Sequence, residues 1–183
     1  MTITRAKWTV DDYHQMIDKG ILSGRRVELL KGEIVEMPPE REPHAVYSSS
    51  AVEYLRLRLG ERATIREGHP ITLPNDSEPE PDIAVVVPPL AQYLAHHPYV
   101  EDIYWVVEYS NTTLEKDLGE KKLAYAEAGI REYWVVDLQN SQLIVFRNPS
   151  SNQYLSEVKL TTGFISPQDF PNIQLEVKKM FTI

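Results

Sequence analysis

Three short apolar runs constrain this chain most: DIAVVV at 82–87, IYWVVEYS at 103–110 and YWVVDL at 133–138. Each is rich in β-branched and aromatic residues. Each lacks the polar–apolar alternation of a strand with one wet face. Such runs read as buried strands, so the fold must supply a layer on each face of a sheet.

The remaining elements fit around them. TVDDYHQMIDK at 9–19 opens with a threonine cap and reads as a short helix. RRVELLKGEIVEM at 25–37 reads as a hairpin turning at Lys31-Gly32. HAVYSSSAVEYLRLRL at 44–59 has helical periodicity through Val46, Ala51, Val52, Leu55 and Leu59, with Gly60 as its stop. Strands are expected near ATIREG and HPITL within 63–73, and residues 88–102 form a connection with some helical character. A helix at 114–129 ends at Gly129, and QLIVFR, YLSEVKL and IQLEV add strand character towards the chain end. This order gives one α/β or α+β domain over residues 1–183, a mixed sheet flanked by helices.

Composition narrows the function. With 183 residues, 42% hydrophobic and 25% charged, the chain suits one soluble globular domain. It has no cysteine, which excludes disulfides and thiolate metal sites and fits a reducing compartment. The N-terminal stretch has no apolar signal core and no run approaches a membrane span, so a cytoplasmic location and no membrane partner are expected. The formal net charge of -8 argues against a broad basic nucleic-acid surface. It leaves room for a nuclease, because an acidic cluster that holds a divalent cation also adds negative charge.

LEKDLGEKKLAYAEAG at 114–129 raises the functional question. On a helix, Leu114, Leu118, Tyr125 and Ala128 form one stripe, with Lys121 near its middle and Asp117 on its flank. Lys116, Glu120 and Glu127 then point away, towards solvent. A buried ammonium costs several kcal/mol, roughly, unless it is paired. Either Lys121 pairs with Asp117 one turn earlier, or its stem reaches water, or it projects into a polar pocket.

Asp82 begins one apolar run and Glu108 lies near the end of another. If those two strands are antiparallel neighbours, the carboxylates meet at one end of the sheet. From Glu108 the chain passes through Tyr109, Ser110 and Asn111 directly into the helix of Lys121. Two hard oxygen ligands suit Mg²⁺, and a lysine beside them stabilises transition-state charge or orients a nucleophile. The combination points to phosphodiester hydrolysis.

These pieces, in order, carry a resemblance: Pro81-Asp82, VVEYS at 106–110, Asp117-x-x-x-Lys121, Tyr125, AGI at 128–130 and EYWVVD at 132–137. With VELLKGEIVEM at 27–37 and His44, the chain resembles the Uma-two-type restriction endonucleases of the PD-(D/E)XK nuclease superfamily. The resemblance implies a restriction-endonuclease-like core and a metal-dependent DNA endonuclease. It makes Asp82 and Glu108 ligands of Mg²⁺ or Mn²⁺ and Lys121 the catalytic cation. A simple D/E-x-K would place the lysine at 110, where this chain has Ser110; the resemblance moves it to Lys121. Lys122 is the rival, at the edge of the stripe. Glu28, His44 and Asp117 are further candidates. Glu28 faces opposite to Val27 and Leu29, either into the site or into solvent, and the resemblance favours the site. His96-His97 is expected at the surface. Arg56, Arg58 and Arg62 are either a local basic edge or a solvated helix face.

DNA is the expected partner, and the two-fold symmetry of a duplex suggests a homodimer. The competing reading is a catalytically silent nuclease-like fold that serves as a nucleic-acid-binding or assembly module. A glycosidase would use the two carboxylates but has no role for Lys121.

Overall fold

The computed structural model describes residues 5–39, 41–111 and 114–183. Thr9 starts the first helix, α1 (Val10–Asp18), through a capping box: its hydroxyl accepts the Asp12 N–H, and the Asp12 carboxylate accepts the Thr9 N–H. The hairpin follows as β1 (Val27–Leu30) and β2 (Glu33–Glu36), antiparallel around Lys31 and Gly32. Both turn residues have positive φ, 51° and 74°, the mirror-image turn that matches strand twist. Val27 and Leu29 pack against Tyr13 of α1, whose hydroxyl donates to the Val27 carbonyl. Glu28 therefore faces the other way. The hairpin leans on the 76–80 loop, where the Glu78 N–H bonds the Leu29 carbonyl and the Gly32 N–H bonds the Asp76 carbonyl.

The long helix α2 (Glu42–Leu59) has Pro43 in its first turn, where a missing N–H costs nothing. The strands after it are β3 (Thr64–Glu67), β4 (Ile83–Val86) and β5 (Ile103–Ser110). Then comes a helical segment of three parts: α3 (Leu114–Lys116), a π-helical turn (Asp117–Lys121) and α4 (Lys122–Ala128). Gly129, at φ 88°, closes it in the left-handed conformation that suits glycine. The strands β6 (Glu132–Asp137), β7 (Gln142–Ser150) and β8 (Gln153–Leu160) complete a six-stranded sheet of order β3-β4-β5-β6-β7-β8. All neighbours are antiparallel except β5 and β6. That parallel pair follows from the helical segment, which carries the chain back to the end of the sheet where β5 began. A short pair, β9 (Phe164–Ile165) and β10 (Leu175–Glu176), stands apart.

Both faces of the sheet are covered, which is why the apolar runs do not alternate. Ile83, Val85, Trp105, Val107 and Trp134 meet α2 and the C-terminal Leu175, Val177 and Met180 on one face. Ala84, Val86, Val106, Tyr133 and Val135 meet Tyr125 and Ala128 of α4 on the other. The mixed sheet with flanking helices agrees with the sequence expectation. Two elements differ. HPITL is not a strand, since its Ile71, Thr72 and Leu73 N–H groups go to the carbonyls of Pro79, Pro98 and Ser77, and no single neighbour pairs with it. The helix at 114–129 is interrupted by the π-turn, with consequences for the site.

Gly32 is the conformational key to the hairpin. A Cβ there would lie 2.9 Å from the Lys7 Cβ and 3.1 Å from the Trp8 carbonyl oxygen, at a φ that L-residues avoid. Gly32→Ala is expected to cost about 1–2 kcal/mol of stability, measured by urea denaturation, through the left-handed backbone and the crowding together.

Candidate functional site

The register of β4 and β5 pairs Ile83 with Val107, so Asp82, one residue earlier, stands opposite Glu108. Asp82 fastens the two strand ends: its Oδ2 accepts the Tyr109 N–H at 2.6 Å. His44, from the first turn of α2, brings its Nε2 to within 3.0 Å of the same oxygen.

Glu108 points to the α4 side of the sheet, alternating with Val107. Its Oε1 accepts hydrogen bonds from Lys121 Nζ at 2.8 Å and from the Tyr125 hydroxyl at 2.7 Å. Lys121 also lies 3.5 Å from Glu28 Oε2. Glu28 in turn accepts from Lys116 Nζ at 2.8 Å and from the Glu80 N–H at 3.2 Å. Glu28, Glu108 and Lys121 are all buried. The lysine on the apolar stripe is thus paired with two carboxylates inside a pocket.

The π-turn explains Lys116. On a regular helix, residues five apart differ by about 140°, which would put Lys116 on the solvent side when Lys121 faces in. A π-turn closes i→i+5 rings, so residues five apart fall near one another. Both lysines then meet the Glu28 carboxylate, and the expectation that Lys116 points to solvent fails for that reason. The same turn holds Asp117 buried, where its carboxylate accepts from the Ser110 hydroxyl and its carbonyl accepts from the Tyr133 hydroxyl. Ser110, at the position of the missing D/E-x-K lysine, thus anchors the turn that presents Lys121.

Glu28, His44, Asp82, Glu108, Lys116, Asp117 and Lys121 line one cleft of about 420 Å³, with Arg26 and Arg41 also on its wall. Burial pushes the Glu108 carboxyl up to about 8; Lys121 opposes it, and Asp82, Asp117 and Glu28 add to the shift. Burial alone would lower the Lys121 pKa, but Glu108, Glu28, Asp117 and Asp82 override it and hold the ammonium above its ordinary value. Glu80 is raised by burial and by Glu28. Glu28 is the exception: burial raises it, but Lys121 and Lys116 outweigh that and hold it low. The cluster as a whole is short of positive charge.

That imbalance is the test of fit for a metal ion. Asp82 and Glu108 are hard oxygen donors in an electron-rich cleft, which suits Mg²⁺ or Mn²⁺. Among the described residues no group of three His, Cys, Asp or Glu side chains forms a ready-made metal site. The pair fits an ion that keeps several water or substrate oxygens, as Mg²⁺ does.

The other sequence candidates separate cleanly. Lys122 Nζ lies over the Phe146 ring, 5.0 Å from its centroid, and not in the cleft. His96 is exposed and stacks on Tyr99, but His97 is half-buried and lines a second, smaller cleft with His14 and Glu78. The surface expectation fails for His97 because the Pro98 carbonyl accepts the Thr72 N–H, which sets this segment beside the 70–80 loop and α1. Arg56, Arg58 and Arg62 donate to main-chain carbonyls. Sequence reasoning missed Lys116 and the hydroxyl of Tyr125. Tyr125 stands four residues after Lys121, one turn on, which is the signal that would have linked it to the same carboxylate.

The model of the Uma2 family, described as "Putative restriction endonuclease", matches residues 10–178. The chain belongs to the Uma2 family. Its structure is similar to the crystal structure of a protein described as a putative nuclease of the DUF820 group from Anabaena variabilis, with a TM-score of 0.72 and 16% identity over 94% of this chain and 97% of that one. At that identity the likeness speaks for the fold, a restriction-endonuclease-like core. No curated protein is significantly similar to this Uma2 chain. No helix among the described residues is long and apolar enough to cross a membrane.

The raised Glu108 carboxyl has a consequence for the metal-free Uma2 protein. A group whose pKa is higher in the folded state binds its proton more tightly there. Its contribution to stability is complete below its unfolded value, near the ordinary glutamate range, and is lost as pH rises through about 8. Glu108→Gln removes that contribution. The stability difference between wild type and Glu108→Gln should therefore move in favour of the variant from pH 5 to pH 9. Urea denaturation across that range, in EDTA, measures it.

Proposed function

We propose that the cleft hydrolyses phosphodiester bonds of DNA with a divalent metal ion, Mg²⁺ or Mn²⁺, held by Asp82 and Glu108. The observation that carries this reading is the bond from Lys121 to Glu108, 2.8 Å long, next to Asp82 in one cleft whose carboxylates outnumber its lysines and arginines. Bound there, the ion would supply a Lewis acid for a phosphate oxygen and lower the pKa of a water.

The chain's own groups do the rest. Lys121 stays charged, because the carboxylates around it hold its proton against the effect of burial. A fixed ammonium costs no reorganisation when charge builds on the reacting phosphoryl group. Glu28, held by Lys116, sets its position from the hairpin side. Tyr125 donates to Glu108 and fixes the carboxylate's orientation, and His44 does the same for Asp82. Asp117, tied to Ser110, keeps the π-turn in place.

Plasmid cleavage with Mg²⁺ or Mn²⁺ tests the reading. Wild type should cut, Asp82→Ala and Glu108→Ala should not, and Lys121→Ala should lose about 10²–10³-fold in rate. No cleavage by folded wild type in either ion, with no heat of metal binding, would sink it. Tyr125→Phe keeps the ring in the core and removes only the hydroxyl. It should weaken divalent-metal affinity by about 10–100-fold, read by titration calorimetry.

A further inference from the structure

We propose that Arg26 and Arg41, at the mouth of the cleft, are the phosphate grips that hold a DNA backbone across the acidic floor. The inference rests on the nuclease reading and adds what that reading lacks, the surface that meets the polyanion.

The chain carries a formal net charge of -8, and the cleft floor brings Glu28, Asp82, Glu108 and Asp117 together. A nucleic-acid backbone approaching such a floor needs fixed cations to offset the repulsion. The lysines of the floor are already committed: Lys121 to Glu108 and Glu28, Lys116 to Glu28. His44 sits on Asp82. The exposed helix arginines Arg58 and Arg62 are engaged with main-chain carbonyls.

Arg26 and Arg41 differ from all of these. Both line the cleft and both are exposed. Among the described residues neither side chain forms an ion pair or a hydrogen bond. Arg26 immediately precedes β1, and its charge is felt by Glu80, whose carboxyl it pulls down against burial and Glu28. Arg41 is the residue that caps α2, three before His44. They come from two separate elements, the hairpin and α2. A guanidinium offers a planar fork that matches phosphate oxygens two at a time and cannot lose its charge. Arginines free of internal partners, at the rim of a cleft whose floor cations are spent, are placed to bind backbone phosphates on either side of the one being cut.

The test is the salt dependence of binding. A fluorescent DNA duplex is titrated with the full chain over a series of NaCl concentrations, in EDTA and again in Ca²⁺, followed by anisotropy. The variants are Arg26→Ala, Arg41→Ala, the double alanine variant, the double lysine variant and, as a distant control on β8, Lys159→Ala. Each arginine removed should flatten the slope of log K against log[salt] by about 0.9 and weaken binding uniformly across sequences. The double lysine variant should keep most of the slope, and Lys159→Ala all of it. A double alanine variant with wild-type slope and affinity would overturn the proposal, while cleavage by wild type would leave the nuclease reading standing. Absence of duplex binding by wild type in both buffers would also overturn it. Arginine-dependent binding in a wild type that never cuts would uphold the grips and remove the nuclease instead.

Discussion

The structure turns on one buried ammonium. Lys121 lies between Glu108 and Glu28, away from water, and each of the three is tolerable there only because of the others. Removing one partner of a buried pair costs about 3–5 kcal/mol, whereas an exposed pair is worth little. Several parts of the fold answer to this requirement. β5 must end where α3 begins, the helical segment must widen to admit the lysine, and a hairpin outside the main sheet must deliver the second carboxylate. Tyr125 joins the two demands: its ring fills the core against Tyr133 while its hydroxyl satisfies Glu108.

Much of this was legible in the sequence, for identifiable reasons. The meeting of Asp82 and Glu108 follows from antiparallel pairing of two apolar runs, which sets the start of one strand beside the end of the other. Lys121 was visible because a charge on an apolar stripe is costly and needs a cause. Glu28 was half legible: strand parity gave two faces, and only the packing of Val27 and Leu29 on α1 decides between them. Lys116 was not legible, because its place depends on a π-turn and helical periodicity assumes a constant angle per residue. His97 was misread as surface because a long irregular connection leaves no period from which to infer burial. HPITL looked like a strand by composition, but its backbone donors found partners in separate loops instead of a ladder.

The charge distribution reconciles an acidic protein with the proposed phosphate chemistry. The negative groups are concentrated at one floor, where Glu108 and Lys121 both bind protons more readily than they would in water. The proposed divalent ion answers that local deficit, and the donors are hard oxygens. Acidity of the whole chain and affinity for a polyanion are thus compatible, provided that the attraction is delivered at a few fixed points.

The hairpin gives the site a second consequence. Glu28 does not belong to the six-stranded sheet; it arrives on a two-stranded unit joined to the 76–80 loop by a few backbone bonds and to α1 by a small apolar cluster. Units of that size open at a lower free energy than the domain that carries them. The cleft floor is therefore built from two pieces of unequal cooperativity. A brief detachment of the hairpin would take a carboxylate from both lysines while every strand of the sheet stayed paired, so the site can be dismantled without the domain unfolding.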